Sequence, residues 1–172
     1  KIKIDAPELC GRFAGRVIRG INAKSYTPMW MRTRLEQAGQ QCTSALIDIS
    51  NYVMLELGGP SHFFDLDKVY GDITVRRAKK GEFIKPLGKE AVFLDENCGV
   101  VVVNNQVESL GGIIDSESTS ISLETRNAYL GFAFWLPQAL SGLARHYKFQ
   151  SESAYRFERG VDYEKAIFYI DM

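Results

Sequence analysis

Apolar residues recur along this chain at two different periods, and the switches between them mark out the elements. Met31, Leu35 and Ala38 stand at i, i+4 and i+7, one face of a helix. That helix is predicted to start with Thr27 as N-cap and Pro28 in the first helical position, where a missing N–H costs nothing. Gly39 is placed to stop it in a left-handed conformation. A second helix is predicted from Asp48, as N-cap, to Leu57. Its apolar face carries Ile49, Tyr52, Val53 and Leu57, and Gly58 stops it.

The middle of the chain alternates with period two or runs continuously apolar. Arg16–Ile21, a segment around Ile73 and Val75, Ala91–Leu94, Val100–Val103, Ser109–Ile114 and Asn127–Phe134 are predicted strands. Asp95–Gly99 and Asn104-Asn105 supply turns. Helical patterning returns at Pro137–Tyr147, with Leu140, Leu143, Ala144 and Tyr147 inward. It returns again at Glu152–Arg159, with Ser151 as cap and Gly160 as stop. Helices, then many short strands, then helices favour an α+β fold over alternating βαβ units. The expectation is a three-layer domain spanning residues 1–172, with short strands in an unusual β-sandwich and flanking helices.

Composition narrows the function. The chain has 172 residues, enough for a real core. Its 21 basic and 21 acidic residues balance, whereas a protein gripping nucleic acid through phosphates is usually basic. RNA contact is therefore expected to be local. Arg76-Arg77 with Lys79-Lys80 is the best candidate for it, against the plainer reading of a solvated face. Three dispersed cysteines, Cys10, Cys42 and Cys98, make no paired framework, so reduced thiols in the cytoplasm are expected. The two histidines and scattered cysteines have no metal-ligand spacing. No apolar run approaches the ~20 residues that span a bilayer, and no signal peptide is evident. The chain opens at Lys1 and closes at Met172 in a predicted helix, as a fragment of a longer polypeptide would.

Four places carry polar groups that a plain core does not need. Asn51 lies on a helix, and His62 in the loop after Gly58-Gly59-Pro60; that histidine either faces a cleft or bonds backbone. Ser61 beside it has no partner pattern for a Ser-His-Asp triad. Paired glycines in Leu110-Gly-Gly112-Ile-Ile-Asp115-Ser-Glu117 permit close approach of a ligand or a second segment. No Gly-Lys-Ser/Thr follows, so this is not a phosphate loop. Gly131 interrupts the strand Leu130–Trp135. In Ser151-Glu-Ser153-Ala-Tyr-Arg156-Phe-Glu158-Arg159 the charges read first as local ion pairs.

Two segments, Asn51-Tyr-Val-Met-Leu-Glu-Leu-Gly58-Gly-Pro60-Ser-His62-Phe-Phe-Asp65 and Tyr155-Arg-Phe-Glu-Arg-Gly160-Val-Asp162, resemble in order and spacing the β chain of bacterial phenylalanyl-tRNA synthetase. They fall in the module that holds its editing pocket, and the likeness runs from about Gly15 to Asp162. The resemblance implies a phenylalanine–tRNA ligase, a heterotetramer of two alpha and two beta chains that joins phenylalanine to tRNA(Phe) with ATP and magnesium. It puts the synthetic site on the alpha chain, so no cofactor is expected in this segment. For this segment it implies hydrolysis of misacylated tyrosyl-tRNA(Phe), with water as nucleophile.

By the same resemblance, Asn51 and His62 are the catalytic positions, and Gly112, Asp115, Gly131, Ser151 and Ser153 border the tyrosine or phenylalanine ester. Ser151 stands where the family has threonine, Ser116 where it has glycine, and three further positions depart from it. Gly131 stands where the family has a glutamate that accepts a hydrogen bond from the tyrosine hydroxyl. Asp115 stands where it has glycine, and Ser153 where it has alanine. A pocket with a buried acceptor penalises phenylalanine, which leaves that acceptor unpaired at a cost of about 1–3 kcal/mol. Asp115 either replaces the lost carboxylate or fills a degenerate pocket. Two functions therefore stand at this point: a working editing hydrolase, or a non-catalytic scaffold near the tRNA.

Overall fold

Side-chain alternation along one long strand sets the layers. A computed structural model describes residues 1–149 and 151–172. In chain order its elements are β1 (Ile2–Ile4), β2 (Cys10–Arg19), α1 (Met29–Gln37), α2 (Ala45–Leu57), β3 (His62–Asp65), β4 (Ile73–Arg77), β5 (Phe83–Ile84), β6 (Val92–Phe93), β7 (Gly99–Val103), β8 (Gln106–Leu110), β9 (Ile114–Asp115), β10 (Asn127–Trp135), α3 (Pro137–Leu140), α4 (Leu143–His146), α5 (Glu152–Arg159) and α6 (Ala166–Asp171). Five strands form a sheet in the order β1-β4-β7-β8-β9, three form β2-β10-β3, and β5 pairs with β6. The β1–β4 pair is parallel; the pairs β4–β7, β7–β8, β8–β9, β10–β2 and β10–β3 are antiparallel.

Strand β10 is central in its sheet and buried on both sides. Tyr129, Ala133 and Trp135 join Val75, Val100, Val101, Val103 and Leu110 of the five-stranded sheet in the main core. Leu130 and Phe132 point the other way, onto Ala166, Tyr169 and Ile170 of α6. The α+β expectation holds: helix, small sheet and large sheet stack as three layers.

Local chemistry moves several boundaries. Strand β2 starts at Cys10, well before Arg16, because β10 pairs with it from Arg19 to Arg12 and again at Cys10, with a register shift at Gly11, and cross-strand pairing outweighs the poor strand propensity of Gly15. Pro28 itself is the N-cap of α1. The Thr27 hydroxyl is used elsewhere, donating to the Asp48 carboxylate. Asp48 is not the N-cap of α2; Ser44 is. Asp48 lies in the first turn, buried, and accepts from the Thr43 N–H at 2.9 Å, which suits a carboxylate at the positive end of a helix. Gly111-Gly112 divides the predicted Ser109–Ile114 strand into β8 and β9. Gly142, at φ +79°, divides the predicted Pro137–Tyr147 helix into α3 and α4. Asn104 and Asn105, both at positive φ, form the two-residue turn between β7 and β8.

Trp135 is fully buried and fixes the spacing of the sheets. A Cβ on Gly99 of β7 would stand 2.4 Å from its Cζ3, so the indole rests on backbone. Gly99→Ala is expected to lower the unfolding free energy by about 1–3 kcal/mol through overpacking. Gly11→Ala, whose Cβ meets Phe134 at an ordinary 3.4 Å, serves as the control, and a denaturant titration of the two variants measures the difference.

Candidate functional site

Two glycines deliver His62 to its place. Gly58 ends α2 at φ +82°, Gly59 passes under the Tyr169 ring, where a Cβ would come within 2.4 Å, and the chain then enters β3. His62 is the first residue of β3 rather than a loop residue, because β10 pairs with it there. Its partner in register is Gly131, and on the far side of Gly131 stands Gly15 of β2. A row across the small sheet therefore reads glycine, glycine, histidine. The Tyr129 ring covers Gly15, where a Cβ would lie 1.7 Å from the phenol oxygen. Burial pushes that phenol up to about 12.

The turn at Gly111 and Gly112, both at positive φ, brings Asp115 opposite. A Cβ on Gly112 would stand 2.6 Å from Phe157 and 3.3 Å from the Trp135 indole nitrogen. Close packing thus requires the glycine whatever ligand comes near. His62 Nδ1 donates to Asp115 Oδ2 at 2.7 Å. Burial lowers the imidazole's affinity for a proton. The charge of Asp115 and its hydrogen bond more than offset this, so the His62 pKa lies above its ordinary 6.5.

Beside this pair, between the two sheets, is a cavity of about 10 Å³ lined by Phe13, His62, Phe64, Val101, Ser109, Gly112, Gly131, Ala133 and Trp135. That is room for about one water molecule. His62 Nε2, Asp115 Oδ1, the Tyr129 hydroxyl and Trp135 Nε1 are buried with no protein partner. Buried polar groups are nearly always bonded, and two of these four, His62 Nε2 and Trp135 Nε1, belong to residues that line the hollow. Tyr129 and Trp135 were read from the sequence only as strand residues. Their signal was the alternation that sets Tyr129, Gly131, Ala133 and Trp135 on one face.

A second hollow, an open cleft of about 1110 Å³, lies among α2, the α3–α4 segment and α5. Asn51 and Met54 line it with Arg145, Lys148 and Phe149, and so do Ser151, Ser153 and Tyr155. Ser151 caps α5, accepting from Ala154 N–H at 3.1 Å, and its hydroxyl donates to the Ile113 carbonyl at 3.0 Å. The Ser153 hydroxyl contacts Met54 Sδ at 3.7 Å. The seven candidate positions thus fall into two groups. Asn51, Ser151 and Ser153 line the cleft; His62, Gly112 and Gly131 line the cavity, with Asp115 bonded to His62. No described residue lines both hollows, but Ser151 touches the residue next to Gly112, so they share a wall.

The remaining charged candidates are engaged separately. Arg156 pairs with Glu152 at 2.7 Å, Glu158 accepts from Gly142 N–H, and Arg159 stacks 3.6 Å over Tyr155; these are three contacts, not one mutual network. Arg76 makes two bonds to Glu82 at 2.9 and 2.6 Å, and Arg77 pairs with Glu8, which leaves Lys79 and Lys80 as the freer part of the basic stretch. Cys10, Cys42 and Cys98 are free. Among the described residues no three His, Cys, Asp or Glu side chains converge as a metal site requires. Among the described residues no helix is long and apolar enough to cross a membrane.

The sequence profile of the B3/4 domain matches residues 9–172. The chain belongs to the B3/4 domain family. It is similar to the phenylalanine–tRNA ligase beta subunit of Bordetella pertussis, with 62% identity over 162 residues, 94% of this chain and 20% of that one. It is also similar to that of Burkholderia pseudomallei, with 55% identity over 170 residues, 99% of this chain and 21% of the other. This B3/4 chain therefore spans about one fifth of the length of those relatives, and the likeness seen in its two motifs extends over nearly all of it. A solved N-terminal fragment of the phenylalanyl-tRNA synthetase beta-subunit from Pyrococcus horikoshii matches at TM-score 0.57, over 84% of this chain and 48% of that one. At 18% identity that match concerns the fold alone.

The raised His62 pKa makes a stability prediction for this domain. A group that binds its proton more tightly when folded stabilises the fold fully below its unfolded pKa, and that contribution is lost as pH rises through the folded pKa. The stability advantage of the natural chain over Asp115→Asn should therefore be largest below about pH 6.5 and shrink on going alkaline. Unfolding midpoints of both proteins across that range test this; a difference independent of pH would contradict it.

Proposed function

We propose that residues 1–172 act as one editing-type module of a phenylalanine–tRNA ligase beta subunit, hydrolysing tyrosyl-tRNA(Phe) with water as nucleophile. One observation carries the reading. His62 is anchored through Nδ1, its Nε2 is buried without a protein partner, and the hollow it faces shares a wall with a cleft large enough for an aminoacyl-adenosine. In this reading the cleft receives the 3′ end of the tRNA, with Arg145 and Lys148 available to phosphate. Asn51, Ser151 and Ser153 offer hydrogen bonds to the ester, and His62 acts on the water. Gly112 and Gly131 would border the amino acid with backbone rather than side chain. Gly131 presents no acceptor to a tyrosine hydroxyl, and Asp115 Oδ1 is the nearest candidate to replace it. The complete ligase would supply the alpha chain, the synthetic site with its ATP and magnesium, and a cytoplasmic setting.

The scaffold reading has its own support. A hollow of about 10 Å³ is far smaller than the ~300 Å³ of a small ligand pocket, and no described residue joins it to the cleft. A module with such a pocket would serve architecture and tRNA placement.

Deacylation of tyrosyl-tRNA(Phe) by the complete parent ligase separates the two. Editing predicts release above the spontaneous rate, and His62→Ala is expected to reduce it by about 10²–10⁴-fold. Release at background in the natural enzyme would leave the scaffold. Gly131→Glu adds a second reading: if the acceptor is the single missing group, it raises the rate, and an unchanged rate argues for a pocket lost in more than one place.

A further inference from the structure

We propose that Asp115 is a positioning residue for His62, holding its imidazole as the general base that activates the hydrolytic water. The inference rests on the hydrolytic reading above and adds to it the group that makes the histidine competent.

The geometry is that of a carboxylate–imidazole pair. A carboxylate only accepts, so the proton of the 2.7 Å bond sits on Nδ1. The neutral ring then carries its lone pair on Nε2, the atom with no protein partner, at a hollow that fits about one water. The ring is held from two sides, by the strand pairing of His62 with Gly131 and by Asp115 across the gap between the sheets. The tautomer and orientation are therefore set before substrate arrives.

The chemistry balances without any further reagent. Water oxygen forms a bond to the ester carbonyl carbon as one of its protons passes to Nε2. The imidazolium so formed is stabilised by the Asp115 charge. The bond from the carbonyl carbon to the ribose oxygen then breaks, and Nε2 returns its proton to that oxygen. Free tyrosine and tRNA result.

Other charges near the ring are turned away. Asp65 of β3 accepts from Thr125, and Glu108 of β8 accepts from Ser118 and Thr119. Arg12 and Arg16 of β2 reach Tyr163 and Asp171. The cavity residues other than His62 are uncharged, and the buried Tyr129 phenol stays neutral. Asp115 is thus the charged group acting on the ring.

The test uses the complete ligase with Asp115→Asn, and Asp115→Glu as the variant that keeps the charge. Deuterium exchange at the imidazole C2, followed across pH by mass spectrometry of the peptide carrying His62, reads its titration midpoint without reference to activity. The expected result is a lower midpoint in Asp115→Asn, with kcat for tyrosyl-tRNA(Phe) hydrolysis down roughly tenfold or more at unchanged KM, and recovery of both towards the natural values in Asp115→Glu. An unchanged midpoint overturns the inference and leaves the hydrolytic reading standing on His62→Ala. A lowered midpoint with unchanged kcat does the same. Background release by the natural enzyme overturns both together.

Discussion

Strand β10 has no free face, and the rest of the molecule is arranged around that constraint. A strand buried on both sides must offer each neighbouring layer a surface that fits, and its side chains alternate between them. Towards α6 it offers Leu130 and Phe132. Towards the large sheet it offers Tyr129, Gly131, Ala133 and Trp135, which are very unequal in size. Two facing sheets stand about 10 Å apart. Trp135 fills that distance, seated on the backbone of Gly99 and Gly112, while the Tyr129 ring lies over Gly15 of the neighbouring strand. Between them Gly131 fills nothing. The hollow beside His62 follows from this sequence of sizes, large, none, small, large, in a strand that cannot shift to close it.

A histidine at the edge of such a hollow is costly unless its polar atoms are used. Desolvation alone would favour the neutral ring and lower its pKa. Asp115 reverses that direction, and it does so from a different sheet, so the pair also ties β3 to β9 across the core. A carboxylate beside a histidine in a partly desolvated site interacts more strongly than the same pair on the surface. That is why the net direction is upward although burial is the largest single influence. The pair leaves one nitrogen and one oxygen unbonded, on opposite ends, and both are buried.

Much of the frame was legible in the residues. The run Val100–Val103 with Asn104-Asn105 specified a buried strand and its turn. Ser151 and Gly160 bounded α5 at both ends. Asn51 and His62 stand within the first of the two motifs, and Gly131, Ser151 and Ser153 were candidates only through the resemblance those motifs carry. What stayed hidden depends on partners distant in sequence. Asp48 looks like an N-cap until its bond to Thr27, 21 residues away, is seen. His62 looks like a loop residue until β10 claims it. The His62–Asp115 bond joins positions 53 apart on different sheets, and no local pattern encodes such a meeting. Nor does a list of candidate residues say that they divide between a cleft and a cavity.

That division turns on Ser151. Its one oxygen accepts from the first turn of α5 and donates to the Ile113 carbonyl, so it fastens the lip of the cleft to the turn that walls the cavity. Gly112 in that turn has no side chain and is backed by Phe157 of the same helix. Helix α5 and the Gly111–Ile113 turn are therefore held together by a hydrogen bond at one end and ring packing at the other. Arg156 and Ser153 also bind α5 to Met54 of α2. The contacts that separate the two hollows thus lie on α5 and the turn it holds, whereas the histidine pair is held by two sheets. In the hydrolytic reading, an incoming ester would therefore meet a preset base.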